Sequence, residues 1–208
     1  ARLRAAPGPK STLRVLPGGR FLYVSGQASG RRIRLLTPAD NRDLPLAAGW
    51  NPDPSPDAGQ IVFDSPDGPA TLSLIAKNAS PVRLSLPATL REDAQPRFTT
   101  GNRIVFCQEG NVLIYDLDRR RLDVVARQNM TDLTYYGAAL PCPDGRRLAL
   151  FSTNASALSK PASAWLLAGQ DAQELGPGRP LQWIGAERLL ILRSGALWLS
   201  ALRPEILV

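Results

Sequence analysis

The same short pattern, a turn followed by a run of apolar residues, occurs five times along this chain at nearly even intervals. It reads Pro17-Gly-Gly-Arg-Phe-Leu-Tyr-Val24, Pro56-Asp-Ala-Gly-Gln-Ile-Val-Phe63, Thr99-Thr-Gly-Asn-Arg-Ile-Val-Phe106, Pro143-Asp-Gly-Arg-Arg-Leu-Ala-Leu-Phe151 and Ile184-Gly-Ala-Glu-Arg-Leu-Leu-Ile-Leu192. The apolar runs begin at Phe21, Ile61, Ile104, Leu148 and Leu189, with spacings of 40, 43, 44 and 41 residues. A period of that size belongs to repeated supersecondary units that bury their faces only by stacking on one another.

Within each repeat a second apolar strand follows the first after a short polar loop: Arg32 to Leu36, Thr71 to Ile75, Val112 to Leu117, Ser163 to Leu167 and Ala196 to Ser200. Several of these alternate apolar and polar residues, as strands with unequal faces do. Weaker outer strands are expected at Leu44 to Ala47, Val82 to Leu86 and Leu122 to Ala126. Short inner strands are expected at Leu13 to Leu16, Arg97-Phe98, Gly137 to Leu140 and Leu181 to Ile184. Four short strands in 40 to 44 residues is the pattern of a propeller blade. The expected fold is therefore all-β, a β-propeller of about five four-stranded blades. Residues 1–10 read as an N-terminal extension or closing strand, and 11–208 as a single propeller domain. A β-sandwich also has closely spaced short strands, but it gives no reason to repeat one turn-plus-strand signature five times.

Composition agrees with this. Nineteen prolines and seventeen glycines are spread along the chain, punctuating many short elements and leaving no room for long helices. No apolar run approaches the roughly 18 residues of a membrane-spanning helix. Ala1-Arg-Leu-Arg4 has no apolar export core, and a chain already trimmed would look the same, so the compartment stays open.

The net charge is +7, and 22 of the 25 basic residues are arginine. That balance is consistent with an acidic partner. The arginines are scattered, with short clusters only at Arg31-Arg32, Arg119-Arg120-Arg121 and Arg146-Arg147, which disfavours a nucleic-acid surface.

The chain contains no histidine. A Ser-His-Asp triad, a Cys-His pair and histidine metal ligation are thereby excluded within it. Carboxylates gather at Asp53 and Asp57, at Asp64 and Asp67, and at Asp116 and Asp118, mostly beside proline or glycine, where aspartate forms turns. No phosphate-binding glycine loop is present. No catalytic, cofactor or metal residue is assigned, although carboxylate-only catalysis stays open. Cys107 and Cys142 fall at opposite ends of antiparallel strands and are expected to remain unbonded to each other.

Candidate partner-binding residues lie in the loops expected on one face of the propeller. Trp50 and Asp53 stand in a stretch read as loop, where an exposed aromatic could anchor a partner. Arg91 lies in another loop. Asn129, Asp132, Tyr135 and Tyr136 lie in a long segment whose adjacent tyrosines look interface-like. Trp165, Trp183 and Trp198 read as core.

Ser55-Pro-Asp57 and Pro143-Asp-Gly145, each before an apolar strand, resemble the Ser-Pro-Asp-Gly turn of TolB-like, WD-repeat-like propellers. Val112-Leu-Ile-Tyr-Asp-Leu-Asp118 resembles the third strand and acidic turn of that family. The resemblance covers most of residues 11 to 202 and implies a bacterial periplasmic or cell-envelope protein, with a cytoplasmic one still open. Propellers of that family are usually described with six blades, whereas 208 residues hold five. The expected function is a non-catalytic scaffold or protein–protein interaction domain, a subunit or accessory factor of a larger assembly. The alternatives are a carbohydrate- or small-ligand-binding propeller, hydrolytic in one version, and a basic module for anions or nucleic acid.

Overall fold

The computed structural model describes residues 9–27, 30–66, 71–76, 79–86, 94–127, 134–154, 162–169 and 171–202. Their regular structure is β-strand, apart from single 3-10 turns such as Pro17–Gly19 and Pro38–Asp40. The first blade is β1 (Lys10–Leu16), β2 (Arg20–Ser25), β3 (Arg32–Thr37) and β4 (Arg42–Ala48). The second is β5 (Trp50–Pro54), β6 (Gln60–Ser65), β7 (Thr71–Ala76) and β8 (Val82–Arg83). The third is β9 (Arg97–Thr99), β10 (Arg103–Gln108), β11 (Asn111–Asp116) and β12 (Arg121–Ala126). The fourth is β13 (Thr134–Pro141), β14 (Arg147–Asn154), β15 (Ser163–Ala168) and β16 (Asp171–Pro177). The fifth holds β17 (Arg179–Ile184), β18 (Arg188–Arg193) and β19 (Ala196–Ala201).

Each strand lies beside its neighbour in sequence, giving four four-stranded sheets and, among the described residues, one three-stranded sheet. The five repeated apolar runs become β2, β6, β10, β14 and β18, each second in its own sheet. The fold is an all-β propeller of five blades.

The chain divides into two compact units, Ala1–Phe98 and Thr99–Val208. In the first, Leu22, Val24 and Ile33 of blade 1 pack against Phe63 and Ile75 of blade 2. In the second, Val105, Cys107 and Val112 meet Leu148, Leu150 and Tyr136 of blade 4. Ala149, Ala164 and Leu166 on the other side of blade 4 meet Trp183, Leu189 and Ile191 of blade 5. A second strand is thus buried on both faces, which is why it reads as a continuous apolar run. Each fully buried Leu or Ile contributes about 1.5–3 kcal/mol. Both cysteines are buried and form no disulfide, Cys107 in the cluster between blades 3 and 4 and Cys142 in that between blades 4 and 5.

The aspartates of the Pro-Asp turns hold those turns shut. Gly59 N–H donates to Asp57 Oδ1 at 3.0 Å, and Arg146 N–H donates to Asp144 Oδ1 at 2.9 Å.

Candidate functional site

Two glycine-dependent crossings bring three separate segments of the first unit to one end of its blades. Gly49 sits at φ +150, and a β-carbon there would stand 2.6 Å from both Asp64 O and the Phe63 ring. Only glycine lets the chain pass this close to β6 and deliver Trp50 into β5. Gly26 N–H donates to Pro9 O at 3.1 Å, tying the loop after β2 to the start of β1. Gly49 N–H donates to Arg31 O at 3.3 Å and draws the same loop toward β5.

The three segments enclose a pocket of about 390 Å³, lined among others by Lys10, Thr12, Gln27, Arg31, Trp50 and Asn51. The Arg31 guanidinium lies over the Trp50 ring, 5.4 Å from its centroid. Trp50 Nε1 is enclosed and has no hydrogen-bond partner among the described residues, whereas most buried donors in proteins are satisfied. Asn51 is held by donating from Nδ2 to Asp64 Oδ2 at 2.8 Å. Asp64 also accepts the backbone N–H groups of Ala94 and Gln95 at 3.1 and 3.2 Å. Among the described residues, none of those lining the pocket is acidic. The pocket therefore combines two cations, Lys10 and Arg31, with an aromatic ring, which suits an anionic group carried next to an apolar or aromatic one.

Across β1 lies a second, apolar pocket of about 480 Å³, walled by Leu13, Phe21, Tyr23 and Leu36.

The candidate residues read from the sequence fall apart into three groups. Trp50 lies in this site, although in strand β5 and not in a loop as expected. Asp53, further along β5, is a structural clamp. Its carboxylate accepts from Arg14 Nε at 3.1 Å and from Phe98 N–H at 2.9 Å, with Arg97 Nε 3.8 Å away. Burial pushes its carboxyl upward from the ordinary value, against the pull of Arg97, Arg14 and the Phe98 amide.

Tyr135 and Tyr136 also belong to a strand, β13, in register with Thr153 and Ser152. Tyr136 is 9% exposed and packs in the core of the second unit, its N–H donating to Gly110 O at 3.2 Å. Its ring is core and not the interface residue that the adjacent tyrosines suggested. Arg91, Asn129 and Asp132 lie outside the described residues. Of the site's cations, Arg31 stood within a basic pair visible in the sequence. Lys10 gave no signal, because its part follows from where β1 starts.

No protein-family profile matches the sequence, and no curated protein matches it. Solved structures do. TolB from Acinetobacter baumannii is similar at a TM-score of 0.73 and 14% identity, over 88% of this chain and 48% of that one. YCF48, solved bound to D1 peptide, is similar at 0.62 and 15%, over 95% of this chain and 65% of that one. A gluconolactonase, XC5397 from Xanthomonas campestris, is similar at 0.57 and 13%, over 81% of this chain and 60% of that one. At these identities the likeness is one of fold. The chain spans about half the length of the TolB chain it matches.

Proposed function

We propose that the chain is a non-catalytic protein-binding scaffold whose first unit holds an acidic segment of another protein in the Trp50 pocket. The observation that carries this is the coincidence of the Arg31–Trp50 stack and a described lining without carboxylates. A Glu or Asp side chain of the partner pairs with Arg31 and Lys10, and a neighbouring apolar side chain lies on the indole. Desolvated aromatic and arginine contacts dominate the energetics of such interfaces, and the net charge of +7 steers an acidic partner toward the site.

A similar fold solved with a peptide bound supports the proposal. The similar gluconolactonase marks the rival, a small-ligand or hydrolytic propeller. Carboxylate catalysis requires acidic groups facing the bound molecule, and this pocket's described lining supplies none. The resemblance to TolB extends the proposal to a partner in the cell envelope.

The test is calorimetric titration with short peptides of matched length that are rich in Glu, neutral, or rich in Lys, each carrying one aromatic residue. Acidic peptides are expected to bind, with Arg31→Gln weakening them roughly tenfold and Trp50→Ala at least as much, while the melting temperature of Arg31→Gln stays at the wild-type value. Absence of acidic-peptide binding, or binding indifferent to both substitutions, would overturn the proposal.

A further inference from the structure

Two inner strands of the first unit carry the same irregularity at the same place. In β1 the pairing with β2 runs through Ser11↔Val24 and resumes at Arg14↔Leu22, so Thr12 and Leu13 stand opposite Tyr23 alone. In β5 the pairing with β6 passes from Trp50↔Asp64 to Asp53↔Val62, so Asn51 and Pro52 stand opposite Phe63 alone. Thr12 and Asn51 take up the extra residue at φ 51 and 49. A bulge of this kind re-aims the side chains around it. Here it turns Lys10, Ser11 and Thr12 of one strand, and Trp50 and Asn51 of the other, into the lining of the pocket of about 390 Å³.

Two residues beyond each bulged position stands a charge, Arg14 on β1 and Asp53 on β5. Arg14 Nε donates to Asp53 Oδ1 at 3.1 Å, which ties the two strands directly. The side chains are 31% and 14% exposed, sheltered enough for the loss of one partner to be felt. On the other side of the carboxylate, Phe98 N–H donates to Oδ2 at 2.9 Å, and Arg97 Nε lies 3.8 Å from Oδ1. Asp53 is thus fixed from β9, and β1 is held against it.

Resting on the reading of the Trp50 pocket as the binding site, we propose that Arg14 and Asp53 are its positioning residues, their ion pair setting the gap between the Lys10 wall and the Trp50 wall. Neither residue lines the pocket, so the pair acts through the strands that carry it. With the gap set in advance, Lys10 and Trp50 have less freedom to lose when the partner arrives, and affinity rises by the cost avoided.

The test joins calorimetry with the Glu-rich peptide to fluorine NMR of the chain labelled with fluorotryptophan, in which Trp50→Phe identifies the Trp50 resonance. Asp53→Asn is the decisive variant, because charge and geometry pull in opposite directions. Removing a negative charge strengthens attraction for an acidic peptide, whereas losing the pair leaves Arg14 facing Arg97 and opens the gap. Asp53→Asn is therefore expected to weaken peptide binding about two- to tenfold. It also enlarges the shift of the Trp50 fluorine between light and heavy water, which reads water access. Arg14→Met, at the more exposed of the two positions, gives the same two results with a wild-type circular dichroism spectrum, and decides the matter if Asp53→Asn does not fold. Unchanged or tighter peptide binding by Asp53→Asn, or a Trp50 solvent shift unaltered in Arg14→Met, overturns the proposal. If the wild-type chain binds no acidic peptide the functional reading falls, and the fluorine shifts alone still decide whether the pair sets the gap.

Discussion

Replacing Gly145 by alanine tests the closest packing of the repeated turn. Gly145 sits at φ +71 and donates its N–H to Cys142 O at 2.9 Å. A β-carbon there would stand 1.9 Å from Thr100 Oγ1, 2.8 Å from Cγ2 and 2.9 Å from Cβ. Rotating Thr100 about χ1 moves the first two atoms and leaves the third, so backbone has to give way. The turn of blade 2 is an internal control. Ala58 occupies the equivalent place at φ 54 and donates to Ser55 O at 2.8 Å, so a methyl side chain is carried there.

The left-handed backbone alone costs an alanine about 1–2 kcal/mol, and crowding of this kind adds about 1–3 kcal/mol. Gly145→Ala is therefore expected to lose about 2–5 kcal/mol in urea unfolding followed by circular dichroism, a large share of a typical stability of about 5–15 kcal/mol. Ala58→Gly changes stability by less than about 1 kcal/mol. If Gly145→Ala costs no more than about 1 kcal/mol, backbone strain accounts for all of it and the approach of Thr100 is refuted.

Arg147, buried in blade 4, donates from Nη2 to Asp144 Oδ2 at 3.2 Å and to Ala186 O, and lies 5.4 Å over the Trp183 ring. Arg147→Met is expected to cost about 2–3 kcal/mol, the loss of charge-assisted bonds tempered by removal of an enclosed Nε that has no hydrogen-bond partner. Urea unfolding followed by tryptophan fluorescence measures it, and no loss would show that Met packs as well as the guanidinium. Burial pushes the Asp144 carboxyl up, but the Arg146 amide, the Cys142 thiol and Arg147 outweigh it and hold it below the ordinary 3.8. Its contribution is therefore fully present above pH 3.8 and lost as pH falls through the depressed value. In an acid titration of stability Arg147→Met is expected to shrink that loss, and an unchanged acid limb would contradict the pairing.

The central strands of each blade and most of its edge strands were legible in the sequence, whereas the edge strands β5 and β16 were not, for a physical reason. Central strands are buried on two faces and must be apolar throughout, so β2, β6, β10, β14 and β18 declare themselves. β5 reads as a loop because Trp50-Asn-Pro-Asp-Pro54 carries two prolines, which an edge strand tolerates and a central one does not. β16 escapes notice because Asp171–Pro177 is polar and largely exposed, and β8 is shorter than its apolar run suggests. Trp183 lies in the core as expected, whereas Trp198 is exposed on β19, which has no fourth strand beside it among the described residues. The candidate site was legible only in Trp50. Its cations come from β1 and the loop after β2, remote from Trp50 in sequence, and no local pattern links them.

The tips of the turns hold a different kind of information. Arg120 and Ser194 sit at φ 53 and 46, a left-handed conformation that side-chain-bearing residues enter at a cost of about 1–2 kcal/mol. Each is a small unclaimed reserve, since glycine would relieve the strain without disturbing a blade face. Heat tolerance in this chain is thus adjustable by drift at its periphery, one turn at a time, and a lineage moving to warmer surroundings could draw on it while every surface used for recognition stayed as it was.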